Sequence, residues 1–149
     1  MLPHNLVARA TGKTITLTPV TEDGLNAWLK KADKRTQAWV DAAHFDATAG
    51  ETLLLPGADG GIAAALLGIE GDSDLWSWSA AVDALPPGRY ALSKGINATL
   101  ATTAALGWAL GTYVFDRYTA TPAPEAELVW PARADRRAVE GAASSIALT

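Results

Sequence analysis

At 149 residues the chain has the length of one compact domain, and 49% hydrophobic against 19% charged residues exclude a disordered segment. A net charge of −4 speaks against a general nucleic-acid binder, which needs a dense cationic surface to displace counterions from phosphate. With no cysteine, disulfides, thiolate metal sites and cysteine nucleophiles are all excluded.

The amino terminus MLPHNLVARATGK is interrupted by Pro3, His4, Asn5 and Arg9 and does not read as a secretory signal. The longest apolar stretch, 104–115, falls short of the roughly 20 residues a membrane helix needs. Together with the missing cysteines, this gives the expectation of a soluble, cytoplasmic protein without a membrane partner.

The first strand is read at 14–20, where Ile15, Leu17 and Pro19 alternate with threonines. Thr21 followed by Glu22 and Asp23 is a helix start, and Leu25, Trp28 and Leu29 then recur at helical spacing. A second helix over 32–45 places Trp39, Val40 and Ala43 on its apolar side. Residues 51–55 and 62–69 are apolar runs joined by PGADGG, the composition of a hairpin turn. The run AAALLGI is apolar on both faces, so a central strand covered by helices on each side is expected there.

Asp72, Ser73 or Asp74 caps a helix carrying Leu75, Trp76, Ala80, Val82 and Leu85, and Pro86-Pro87-Gly88 stops it before a strand at 89–93. The longest helical pattern runs over 97–118, with Leu100, Ala104, Trp108, Gly111 and Phe115 along one face. Its alanines, with Gly107 and Gly111, make it thin; a mid-helix glycine costs about 1 kcal/mol against alanine, so close packing is expected to compensate. A short strand at 127–130 follows, and Pro131 separates it from a helix starting near Ala134. That last pattern has no stop signal, as at a junction leading into a further domain. The order βααββαβαβα predicts an α/β layer sandwich on a mixed, largely parallel sheet with one antiparallel pair.

Chemistry-bearing residues are sparse. His4 and His44 are the only histidines and form no spaced ligand pair. No serine stands in a GxSxG elbow; Ser73, Ser77, Ser79 and Ser93 fall at helix starts or strand ends, where capping explains them. Asp72 with Asp74, and Glu125 with Glu127, read as solvated loop charges. PGADGG lacks the phosphate-loop spacings and precedes a strand, so a hairpin turn is the better reading than an anion cradle. Lys30, Lys31, Lys34 and Arg35, and Arg133, Arg136 and Arg137, are mixed with acids or alanines as on solvated helix faces. Asn97 heads a glycosylation-like triplet but reads as the cap of the long helix. Of the six tryptophans, 28, 39, 76 and 108 are expected in the core; Trp78 and Trp130 could be core or interface anchors. No catalytic, cofactor-binding or metal-binding residue is assigned.

The segment AALGWALGTYVFDRY at 104–118 resembles leucyl aminopeptidases, in which a long helix ends in Gly-x-Tyr-x-Phe-x-x-Tyr, matched here by Gly111, Tyr113, Phe115 and Tyr118. In the same order, Phe45 with Gly50, LLLPG at 53–57, LLGIEG at 66–71 and LPPGRYAL at 85–92 are similar to the amino-terminal domain of that cytosol aminopeptidase family. The resemblance implies a macrodomain-like α/β fold and a non-catalytic domain over 1–133, with 134–149 leading to an absent carboxy-terminal catalytic domain. That other domain would hold two divalent metals, zinc or manganese, and remove amino-terminal residues such as leucine from peptides. The family's catalytic run Asn-Thr-Asp-Ala-Glu-Gly-Arg is absent, so no functional residue carries over. The implied role is packing against the catalytic domain, homo-oligomer assembly or control of access to it, with nucleotide or ADP-ribose binding in a macrodomain-like cleft as the alternative.

Overall fold

The computed structural model describes residues 6–7, 13–57, 60–118, 126–131, 134–135 and 137–139, and of 112–118 only the helical backbone. His4, Arg133, Arg136, Glu125 and the segment 140–149 lie outside the described residues. The elements follow the expected order with one addition at the start. They are β1 Leu6–Val7, β2 Ile15–Val20, α1 Glu22–Lys31, α2 Lys34–Ala42, β3 Thr52–Pro56, β4 Ile62–Gly68, α3 Leu75–Ala84, β5 Gly88–Leu92, α4 Ala98–Tyr118 and β6 Ala126–Val129.

Six strands form one sheet in the order β1-β6-β5-β2-β4-β3. Every pairing is parallel except β3 with β4, the hairpin read from the glycine-rich turn. That turn closes on itself, Gly57 N donating to Gly61 O at 2.7 Å and Gly60 N to Gly57 O at 3.2 Å. β1 was not foreseen. Two residues carry no periodicity, and Leu6 and Val7 are strand only because Leu128 and Val129 lie beside them.

The doubly apolar run of β4 is explained by two cores. Ala65 and Leu67 face the first, with Leu17, Tyr90, Trp78, Trp108 and Leu128. Leu66 faces the second, with Val20, Leu25, Val40, Phe45 and Leu55. Successive strand residues point to opposite faces, so a strand with helices on both sides has no solvent face to mark with polar residues. α3 and α4 form the layer over the first core, while α1 and α2 supply the second.

Coverage of the second face is uneven among the described residues. The row Leu6, Leu128, Tyr90 and Ile15 is buried on the α3/α4 side. On the other side Val7, Val129 and Ala91 are half-buried and Thr16 is exposed, because the second core draws its strand residues only from β2, β3 and β4.

Helix starts follow local chemistry. Thr21 accepts from Gly24 N at 3.0 Å, Asp33 from Thr36 N at 2.8 Å, and Asn97 from Leu100 N at 2.8 Å. α2 thus begins at Lys34, two residues later than the pattern of apolar side chains alone placed it, because Asp33 is the cap. Asp74 is the cap chosen among three candidates at the start of α3. It accepts from Ser77 N at 3.2 Å and Glu70 N at 2.9 Å, and from the Ser77 hydroxyl. Partial burial would raise its pKa, but these hydrogen bonds outweigh it and hold the carboxyl below its ordinary value of 3.8. A depressed carboxyl contributes stability that is complete above that ordinary value and is lost as pH falls through the folded one. Asp74→Ala is expected to cost about 1 kcal/mol at neutral pH. In thermal melts the gap from wild type should narrow below pH 4; a gap unchanged at acid pH would contradict the cap's charge dependence.

The thin helix is thin for the anticipated reason. A Cβ on Gly107 would stand 2.6 Å from Trp78 Cβ and 2.7 Å from Leu75 O, and one on Gly111 would stand 2.6 Å from Ser79 O. α3 therefore lies directly on these two glycines. Gly107→Ala gains about 1 kcal/mol of helix propensity but overpacks the contact by about 1–3 kcal/mol. A net loss is expected, read as a lower urea midpoint with unchanged slope; an unchanged or higher midpoint would show that the helices can part without cost.

The tryptophans divide differently from expectation. Trp78 and Trp108 are fully buried, and Trp28 packs half-buried against the second core. Trp39 and Trp76, expected in the core, are 46% and 74% exposed. Both lie on the expected helices, but the inward faces differ from the expected ones: α2 buries Val40 and leaves Trp39 and Ala43 exposed, and α3 buries Ser77, Trp78, Ala81 and Val82 and leaves Trp76 and Ala80 exposed. Among the described residues the buried Trp78 Nε1–H has no hydrogen-bond partner, whereas Trp108 Nε1 donates to Ala126 O at 3.3 Å.

Beyond Pro131, the described Ala134 and Val139 belong with the first core. Val139 is fully buried, Ala134 packs against the cluster, and Asp135 N donates to Thr102 Oγ1 at 2.8 Å. Asp135 Oδ1 accepts from Ala138 N at 3.1 Å, so the last described helical turn starts at that cap.

Candidate functional site

In parallel α/β sheets the carboxyl ends of the strands, where helices begin, form the end at which ligands are usually held. Among the described residues, hollows lie at that end in two places. One, of about 330 Å³, lies where β5 and β6 finish and α4 begins, and is lined by Leu92, Ser93, Lys94, Ile96, Trp130 and Pro131. The other, of about 320 Å³, lies where β2 and β4 finish and α1 begins, and is lined by Thr21, Glu22, Asp23, Thr48, Ile69 and Glu70. The first is mainly apolar with the exposed Lys94 at its mouth; the second carries three exposed carboxylates.

Neither hollow assembles a bond-breaking constellation. Ser77 is buried and its hydroxyl is committed to Asp74. His44 is exposed just beyond α2, on the layer of the second core, whereas Ser77 and Ser79 lie on α3 over the first. The sheet stands between them, so a Ser-His-acid relay involving α3 does not form. Asp72 and Asp74 serve structure: Asp72 accepts from Asn97 Nδ2 at 3.0 Å, tying the lead-in of α3 to the cap of α4. Among the described residues no group of three or more His, Cys, Asp or Glu side chains could hold a metal ion. The described donors thus do not fit a bound divalent metal.

Glu127 is not a loop charge. It stands in β6 opposite Arg89 of β5, and Arg89 Nη2 lies 3.1 Å from its Oε1. The pair sits half-buried on the sheet face turned away from Tyr90, beside the strands that α1 and α2 pack against. Sequence reasoning grouped Glu127 with Glu125 by proximity; only strand register could reveal Arg89 as its partner, at a separation of 38 residues. Tyr90, on the opposite face, has its pKa pushed up to about 12 by burial, and its hydroxyl donates to Pro86 O at 2.8 Å.

Of the basic clusters, Lys30, Lys31, Lys34, Arg35 and Arg137 are described, and all are exposed. Lys30 and Lys31 close α1, where positive charge complements the helix carboxyl end, and Lys34 and Arg35 open α2. No described helix is long and apolar enough to cross a membrane.

Comparison with known proteins places this arrangement. The family model for the N-terminal domain of M17 aminopeptidases matches residues 15–131. No curated protein matches the chain in sequence. Among solved structures, the cytosol aminopeptidase of Coxiella burnetii is 27% identical with a TM-score of 0.79, over 94% of this chain and 31% of that one. The bottromycin maturation enzyme BotP in complex with Mn is 20% identical with a TM-score of 0.59, over 91% of this chain and 30% of that one. A tomato leucine aminopeptidase variant, 16% identical with a TM-score of 0.50 over 98% of this chain and 36% of that one, shares the fold. The chain spans about a third of the length of these structures.

Proposed function

Since the chain belongs to the M17 aminopeptidase N-terminal domain family, we propose that it is the non-catalytic domain of a metal-dependent aminopeptidase and acts by contact with a catalytic domain. The observation that carries this reading is the match to 31% of the Coxiella enzyme by 94% of this chain, at a TM-score of 0.79. Support also comes from the chemistry of particular side chains: Asp33 and Asp74 cap helices, Asp72 holds the Asn97 amide, Glu127 pairs with Arg89, and the sheet stands between His44 and the serines of α3. The parent protein would remove amino-terminal residues from peptides using divalent metals held by the other domain, as the Mn in the BotP structure suggests by analogy. In that protein the present domain would pack on the catalytic domain, support a homo-oligomer and limit which peptides reach the metals. The segment 134–149 would lead from one domain to the other.

The test has two arms. The purified chain, assayed with a leucyl chromogenic substrate plus zinc or manganese, should show no metal-dependent turnover. Mixed with a separately expressed M17 catalytic domain, it should co-elute as a complex. Turnover by the chain alone would overturn the non-catalytic reading, and separate elution at high micromolar concentration would overturn the contact.

A further inference from the structure

β3 is an edge of the sheet, and it is the edge that needs guarding. The opposite edge, β1, is two residues long and offers little to pair with. β3 has the sequence TLLLP, five residues without a charge, a composition prone to pairing with other strands. Gly68 N donates to Glu51 O at 2.7 Å, which sets residues 51, 53 and 55 toward β4. Antiparallel alternation then turns the main-chain groups of Thr52, Leu54 and Pro56 outward, to the open side.

Two of those three positions are blunted. Pro56 has no N–H to offer, and the register shifts between Leu55 and Pro56, which bends the edge. The Leu54 carbonyl is taken by Trp39, whose Nε1 donates to it at 2.9 Å from α2. This tryptophan is 46% exposed, so the bond is not the by-product of a buried ring seeking a partner. The ring lies beside a hollow of about 210 Å³ bounded by Asp33, Arg35, Thr36, Leu55 and Pro56, on the line a further strand would follow.

We propose that Trp39 straps the free edge of β3 and prevents the leucine run at 53–55 from pairing with the same run of a second copy of this chain. The occupant excluded is a second copy because the outward edge is self-complementary: an antiparallel partner related by a two-fold axis would offer the Thr52 and Leu54 amides to its mate's carbonyls and accept in return. With Trp39 in place the Leu54 carbonyl is occupied and the indole stands where the partner's backbone would run.

Sedimentation velocity over a concentration series tests this, on wild type, Trp39→Ala and Trp39→Ala with Thr52→Pro, each shown folded by circular dichroism. Trp39→Ala should self-associate about tenfold more tightly than wild type. Thr52→Pro, which removes an outward N–H at the first residue of the strand, should reverse that gain. Equal association of Trp39→Ala and wild type, or association that persists in the double variant, would overturn the proposal. Should Trp39→Ala not fold, hydrogen exchange of the indole N–H groups in the wild-type chain decides. Trp39 should exchange more slowly than the more exposed Trp76, and equal rates would show that no strap is held.

Discussion

Gly68→Ala is expected to destabilise the fold by about 3 kcal/mol or more, at the upper end of overpacking costs. A Cβ at this position would lie 2.1 Å from Thr48 O and 2.6 Å from Ala47 C, both main-chain atoms. Retreat of the loop is costly. Ala47 is fully buried in the second core and holds a φ of 59°, a conformation costly for a residue with a side chain. Gly68 is itself pinned, its N–H donating to Glu51 O at 2.7 Å and its carbonyl accepting from Gly50 N at 2.8 Å. Either the strand shifts and these bonds lengthen, or the loop leaves the core and Ala47 is exposed. Urea denaturation followed by tryptophan fluorescence reads the effect; a loss below about 1 kcal/mol would mean that the loop is not seated on the strand.

Trp108→Ala is expected to cost about 3–5 kcal/mol. The indole is fully buried in the first core, beneath the long helix, with its ring 6.2 Å from that of Tyr90 and tilted by 47°. Truncation removes a large apolar volume that the neighbouring backbones, already in contact at Gly107 and Gly111, cannot close in to fill. It also removes the donor to Ala126 O. Trp108→Phe keeps most of the ring and should lose far less. Equal losses for the two variants would show that the hydrogen bond, and not the volume, carries the effect.

Both substitutions act on the scaffold, and their size bears on the proposed role. A domain that works through its surfaces must present them in fixed relation, and the two cores on either side of the sheet provide that rigidity. Either variant should therefore weaken contact with a catalytic domain only in proportion to unfolding. Trp39→Ala, by contrast, should alter association while leaving the fold in place.

Much of the architecture was legible from residue order. Thr21, Asn97 and the cluster at Asp74 announced helix starts because a cap bonds to an amide three residues on, an interaction contained in the local sequence. Gly107 and Gly111 announced a close approach because glycine in a helix is costly unless something fills the space. The hairpin followed from its glycines, and the doubly covered strand from its unbroken apolar run. The candidate site was less legible. The hollows at the sheet's carboxyl end bring Ser93 and Lys94 beside Trp130, and Thr21 beside Thr48 and Glu70, through crossovers that no spacing rule encodes.

The amino-acid sequence by itself determined the order of helices and strands from β2 onward, the caps at Thr21 and Asn97 and the cluster that holds Asp74, the antiparallel pair and the resemblance that leads to the aminopeptidase family. Those features rest on periodicity and on hydrogen bonds between near neighbours. Tertiary structure alone decided the strand order, the two-residue strand β1, the partnership of Arg89 with Glu127 and the exposure of Trp39 and Trp76. A helical pattern fixes which residues share a face, but the angle at which that face meets a sheet is set by side chains far away in the chain, and the edge a strand leaves open depends on which neighbour arrives beside it.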